Sequence, residues 1–144
     1  NRHRLNEEVE NEFFARYVSL DELLSTSDYI SLHTPLNAES YHMINRERLH
    51  GMKKGCFVVN TARGAVMDEA AVADALKSGA LGGVGLDVYE NEPEIHEGLL
   101  ASEKAIIVPH IGTATMTARM AMTHYALQNI LLYFEGKKPL SRIV

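Results

Sequence analysis

One cysteine, no tryptophan and four prolines stand among 144 residues. A single cysteine excludes a disulfide framework within the chain, which suits a reducing compartment. That cysteine, Cys56, sits inside an apolar run and reads as a core residue rather than a reactive thiol. No apolar run reaches the roughly 18 residues of a membrane span, and no signal-peptide pattern opens the chain. A soluble, cytoplasmic protein without membrane partners is therefore expected. Basic charge is also in short supply: 14 Lys and Arg face 19 Asp and Glu, a net charge of -5, and no basic stripe is present. This argues against nucleic acid or an anionic membrane as partner. His3, His42, His50, His96 and His124 show no metal-ligand spacing, so no metal is expected and these five are read as structural. No internal repeat or low-complexity segment is evident.

What is present is ordinary in bulk. Hydrophobic residues at 46% and charged residues at 23% suit a soluble globular chain long enough for one domain with a real core. Three segments share one grammar, a β-rich run that stops at a polar turn. Cys56-Phe57-Val58-Val59 opens into Asn60-Thr61-Ala62-Arg63-Gly64. Val84-Gly85-Leu86-Asp87-Val88 runs into Tyr89-Glu90-Asn91-Glu92-Pro93, and Ala105-Ile106-Ile107-Val108 into Pro109-His110-Ile111-Gly112-Thr113. In parallel α/β sheets the carboxyl edge of the strands is where ligands bind. An arginine, a glutamate and a histidine thus stand past the ends of separate expected strands.

Taken in order, residues 5–12 read as a short solvated helix and Phe13–Val18 as a short strand. Ser19-Leu20-Asp21-Glu22 fits a capping box, with Val18 and Leu23 at the staple positions, and opens a helix to about Thr26. Asp28–Leu32 reads as a strand that must stop before Pro35, since proline cannot donate to a ladder. Residues 37–54 read as loop and short helices anchored by Ile44, Leu49 and Met52. Strand 56–60 follows, then a helix opened by Asp68-Glu69 and stopped at Gly79. Strand 84–88, an irregular acidic loop and strand 105–108 complete an α/β pattern. A helix from about Thr115 to Glu135 carries Arg119 as its one formal charge before Glu135, with apolar side chains on all sides. Such a helix must be buried all round, which a small sheet cannot do, so another domain or subunit is expected to cover it. The opening Asn1-Arg2-His3-Arg4, without methionine, reads as a cut inside a domain, and a longer parent is expected.

The chemistry of the strand-end residues is specific. Arginine's planar fork pairs bidentately with a carboxylate, which suits Arg63 to an anionic substrate. His110 can act as general acid toward a carbonyl oxygen. Glu92 or Glu90, bonded to the other ring nitrogen, would favour the imidazolium. Asp87 can accept from an amide such as a carboxamide. Singly, each residue has a bland alternative: a surface contact for Arg63, a local hydrogen bond for His110, solvated loop charges for the glutamates, a turn cap for Asp87. The ordered combination is far more specific.

The stretches Asn60–Glu69, Gly85–Pro93 and Pro109–Thr113 closely resemble the D-isomer-specific 2-hydroxyacid dehydrogenases, and the glyoxylate and hydroxypyruvate reductases among them. The resemblance implies residues 1–114 as the C-terminal part of a doubly wound, parallel-sheet (Rossmann) dinucleotide-binding domain. It implies residues 115–144 as a helix and tail returning to a substrate domain outside this chain. It also implies an NAD(P)-dependent oxidoreductase acting on a small 2-oxo or 2-hydroxy acid, and a homodimer when intact; the 144 residues alone are expected to be inactive. By that match Arg63 binds substrate, His110 is the acid/base and Glu92 its partner. Formate dehydrogenases carry glutamine at the position of Glu92, so the glutamate favours a 2-oxo acid. Thr34, Pro35, Thr61, Ala62, Arg63, Asp87, His110, Gly112 and Thr113 would line the cofactor. No Gly-x-Gly-x-x-Gly loop occurs in the sequence. Asn1-Arg2 falls where the family reads the adenosine ribose, and Arg2 there would favour NADP over NAD. The competing class is a non-catalytic, dinucleotide-sensing module like the corepressors that resemble this family.

Overall fold

A computed structural model describes residues 4–141 of the chain. Its elements, in order, are α1 (Glu7–Glu12), α2 (Leu20–Thr26), β1 (Tyr29–Leu32), α3 (Arg46–Gly51), β2 (Cys56–Asn60), α4 (Glu69–Ser78), β3 (Leu81–Leu86), α5 (Glu97–Leu100), β4 (Ala105–Ile107) and α6 (Met116–Phe134). A single 3₁₀ turn covers Gly64–Val66. The four strands form one parallel sheet in the order β1-β2-β3-β4. By contacts the chain divides after Pro109 into two compact units.

The first unit is built by alternation. In β1 and β2 every second residue is buried, so Ile30, Leu32, Cys56 and Val58 point into one core. Leu24 of α2, Leu49 of α3, Val72 and Leu76 of α4 and Leu99 of α5 join the same cluster. These helices therefore cover one face of the sheet. The opposite face carries Tyr29, Phe57, Val59 and Ile106, all exposed, with the Tyr29 and Phe57 rings stacked at 5.3 Å. Helix ends follow their cap chemistry. Ser19 Oγ accepts from Glu22 N, Asn45 Oδ1 from Arg48 N, and Asp68 Oδ1 from Ala71 N. Gly79 ends α4 at φ 76°, in the left-handed region glycine enters without strain.

The structure corrects several expectations. Phe13–Val18 is not a strand: Phe13 caps α1, Ala15 N donates to Glu10 O at 2.7 Å, and Phe14 turns the chain at φ 50° with its ring exposed. Aromatic content alone raised that expectation, and no neighbouring strand is there to pair with it. The capping box at α2 is half formed, because Glu22 bonds to Arg16 Nη2 at 2.6 Å instead of reaching back. β3 starts three residues early, at Leu81, and ends at Leu86, leaving Asp87 and Val88 beyond it. Gly82 and Gly83 suggest a weak strand start, yet their missing side chains leave room for the Phe57 ring across the ladder. The acidic loop contains α5, capped by His96 Nδ1 accepting from Gly98 N and anchored by the fully buried Leu99.

The second unit is dominated by α6, with Thr115 Oγ1 accepting from Ala118 N at its start and Gly136 (φ 68°) past its end. None of its residues is buried by the rest of this chain, and the expected cover was assigned to another domain or subunit. Among the described residues no helix is long and apolar enough to cross a membrane.

Candidate active site

The register sets the site. Leu32, Asn60, Leu86 and Ile107 lie side by side as the last residues of their strands. The turns that follow β1, β2 and β3 therefore leave one edge of the first unit at the same level.

The turn after β2 is held by Asn60, which is 1% exposed. Its Nδ2 donates to Arg63 O and its Oδ1 accepts from Ala62 N, both at 3.0 Å. One amide side chain thus closes the turn in both directions. Arg63 is left exposed, with Nη1 donating to Ala62 O at 2.6 Å. Gly64 then passes so close to the next loop that a Cβ there would stand 1.8 Å from the carbonyl carbon of Tyr89. Only glycine allows that approach.

The turn after β3 begins with Asp87, 6% exposed, whose backbone N–H donates to Asn60 O. Tyr89 is buried, and its hydroxyl donates to Val108 O at 2.6 Å and lies 3.1 Å from Leu86 O. Burial pushes this hydroxyl above its ordinary value, and the charge of Asp87 adds to the rise. Tyr89 so ties the exit of β4 to β3, two residues before His110. Glu92 Oε1 accepts from Tyr89 N at 3.1 Å, and the Glu92–Pro93 peptide is cis. Glu90 has a different partner: His42 Nε2 donates to its Oε1 at 2.6 Å, and Glu90 N donates to Glu69 Oε1 at 2.7 Å.

The turn after β1 is shaped by Ser40, 4% exposed, whose Oγ donates to Pro35 O at 2.6 Å and accepts from Asn37 N. Between this turn and that of β2 lies an open cleft of about 470 Å³, lined by residues 33–36 and 61–63. Sites for small ligands span roughly 300–1,000 Å³ and mix apolar walls with a few polar groups. Pro35 and Leu36 supply the first and Thr34, Thr61 and Arg63 the second, so the cleft has the make-up of a small-ligand site. In the second unit, Ala114 N donates to Ile111 O across a turn centred on Gly112-Thr113. His110 is exposed and sits at φ 52°. A histidine held in the left-handed region costs backbone energy, a trait concentrated at functional sites. Arg2 lies outside the described residues. Among the described residues, no group of three His, Cys, Asp or Glu side chains is placed to hold a metal ion.

Sequence reasoning singled out Arg63, Asp87 and Glu92 but gave no role to Asn60 and dismissed His42. Asn60 had a signal, a polar residue closing an apolar strand. His42 had none, because its partner lies 48 residues away.

Comparison with known proteins follows the same lines. Residues 1–112 match the family described as D-isomer specific 2-hydroxyacid dehydrogenase, NAD binding domain. A glyoxylate reductase of Thermococcus onnurineus is 46% identical over 92% of this chain and 40% of its own length. The crystal structure of a glyoxylate reductase from Paecilomyes thermophila superposes with a TM-score of 0.91 at 45% identity, over 99% of this chain and 43% of that one. An NADPH-dependent glyoxylate/hydroxypyruvate reductase from Sinorhizobium meliloti, solved with NADP and malonate, gives a TM-score of 0.84 at 28% identity, over 90% of this chain and 41% of that one. The chain thus spans about two fifths of the length of these relatives. With a matching family over most of its residues and a parallel sheet whose strand ends align, the chain belongs to the D-isomer specific 2-hydroxyacid dehydrogenases, in their NAD-binding domain.

Proposed function

We propose that the protein is an NAD(P)-dependent reductase of a small 2-oxo acid, glyoxylate or hydroxypyruvate. The alignment of Leu32, Asn60 and Leu86 at one edge carries this reading, because it brings the turns bearing Arg63 and Glu92 level with one another. NAD(P)H, when bound, supplies the hydride that reduces C2 of the acid. Arg63 gives up its exposed bond to Ala62 O and turns its fork to the substrate carboxylate. As C2 is reduced, the carbonyl π pair becomes a lone pair on oxygen, and the His110 imidazolium gives that oxygen its proton. Glu92 is the acceptor for the other ring nitrogen of His110. The engagement of Glu90 by His42 supports Glu92 over Glu90 in this role.

Thr34, Pro35, Thr61, Ala62 and Arg63 line the dinucleotide from the cleft side, joined by Asp87, His110, Gly112 and Thr113. NADP is the preferred cofactor on the strength of Arg2, whose fork can neutralise a 2′-phosphate. Residues 1–114 belong to the nucleotide domain and 115–144 return to a substrate-binding domain. The enzyme works as a cytoplasmic homodimer.

The test is loss of NAD(P)H absorbance by the full-length protein with glyoxylate or hydroxypyruvate. Turnover supports the reading. Tight dinucleotide binding with no turnover of either acid would instead support the sensing module. For the cofactor, comparing kcat/KM for NADPH and NADH in wild type and Arg2→Ala should show a preference for NADPH of about tenfold or more, since charge-assisted contacts contribute ~1.5–3 kcal/mol. A ratio that the substitution leaves unchanged removes Arg2 from the site.

A further inference from the structure

We propose that His42 and Glu90 are a positioning pair that locks the Arg63 turn from above, a role resting on the assignment of Arg63 to the substrate carboxylate. Four contacts carry it. His42 Nε2 reaches Glu90 Oε1 at 2.6 Å, with both side chains about three-quarters buried. His42 N donates to Ala65 O at 2.9 Å. Glu90 N donates to Glu69 Oε1 at 2.7 Å, and Glu69 is 7% exposed at the first turn of α4. Gly64 presses on the Tyr89–Glu90 peptide. Residues 64 and 65 are therefore held on one side by the Glu90 backbone and on the other by the His42 backbone, and the His42–Glu90 bond joins the two sides.

The cost of the arrangement marks it as more than a surface pair. His42 sits at φ 46°, a conformation that non-glycine residues avoid and that persists only where surroundings enforce it. Its ring is further fixed by stacking on Tyr41 at 4.0 Å. The pair also joins the loop after β1, which carries Thr34 and Pro35, to the loop after β3, which carries Glu92. Loosening it would let the Arg63 backbone shift, and small shifts in a binding group are expensive in rate.

The experiment uses the full-length protein. His42→Ala and Glu90→Ala should each raise KM for the 2-oxo acid by about tenfold, more than they raise KM for NAD(P)H. His42→Gln, whose amide N–H can still donate to Glu90, should recover most of that loss. The double alanine variant should be no worse than either single one, since both remove the same bond. Unchanged kinetics in folded variants, additive losses, or failure of glutamine to rescue would overturn the proposal. A readout independent of activity separates this from the assignment of function. In His42→Ala, amide exchange should quicken at Glu90, whose N–H rests on Glu69, and at Val66 and Met67, whose N–H groups close the turn on Arg63 O and Gly64 O. Faster exchange in a protein that turns over no 2-oxo acid would leave the lock standing and the function refuted; unchanged exchange would refute the lock.

Discussion

Asn60 shows how a residue can govern a site without touching a ligand. It is buried, and its amide satisfies Arg63 O and Ala62 N together. Asn60→Ala leaves Ala62 N unpaired and Arg63 O with the Val66 N–H alone, and should cost ~1–3 kcal/mol in denaturant unfolding, with KM for the 2-oxo acid rising as Arg63 loosens. Asn60→Asp keeps the acceptor for Ala62 N but sets a buried carboxylate oxygen against Arg63 O, so it should cost at least as much as the alanine. Gly64→Ala drives a Cβ into the Tyr89 carbonyl and, as an overpacking change against rigid backbone, should cost on the order of 1–3 kcal/mol. Arg63, Asp87 and Glu92 were legible because each stands just past a strand in a local pattern. His42 was not, since nothing in Tyr41-His42-Met43 points to Glu90, and only the fold brings them together.

Elements were legible where local chemistry and long-range packing agree. Asp68 and Gly79 bracket α4 in sequence and in structure, and Asp68→Ala should cost ~1 kcal/mol, the usual loss of an N-cap acceptor. Thermal unfolding of the full-length variant reads this directly, and an unchanged midpoint would mean the cap contributes nothing. Strand pairing decided the cases that went astray. Phe13–Val18 has β-prone residues and no partner strand, whereas Leu81–Gly83 has two glycines and a partner in β2. Tyr89 belongs to this scale, because its hydroxyl joins the ends of β3 and β4. Tyr89→Phe keeps the ring and removes the bond to Val108 O, so stability should fall by about 1 kcal/mol. An unchanged midpoint would show that this bond does not tie the strands.

At the scale of the molecule, buried acids and exposed apolar faces set the behaviour. Burial pushes the Cys56 thiol above its ordinary 9.0, and the Tyr89 hydroxyl is likewise held above 10.0. Groups raised in the folded state add stability that is complete below their unfolded values and is lost as pH rises through the folded ones. Unfolding midpoints should therefore drop as pH climbs past about 9, and Cys56→Ala should flatten part of that drop; a slope the substitution leaves untouched would contradict it. The sheet face bearing Tyr29, Phe57 and Ile106, and the sides of α6, are apolar and exposed. Exposed apolar patches of this kind are rare on soluble monomers and mark surfaces that bind something. A 144-residue chain made alone should accordingly bind a hydrophobic dye strongly, and weak binding would mean the chain covers these faces itself. Arg63, proposed as the group that holds the substrate, is the residue on which the proposed chemistry depends. Steady-state kinetics of the full-length Arg63→Lys enzyme with the 2-oxo acid test this most directly. A lysine point charge cannot reproduce the fork, so KM should rise, kcat should fall, and kcat/KM should drop by about a hundredfold or more. Kinetics within about twofold of wild type would contradict the account and make Arg63 a surface residue of its turn.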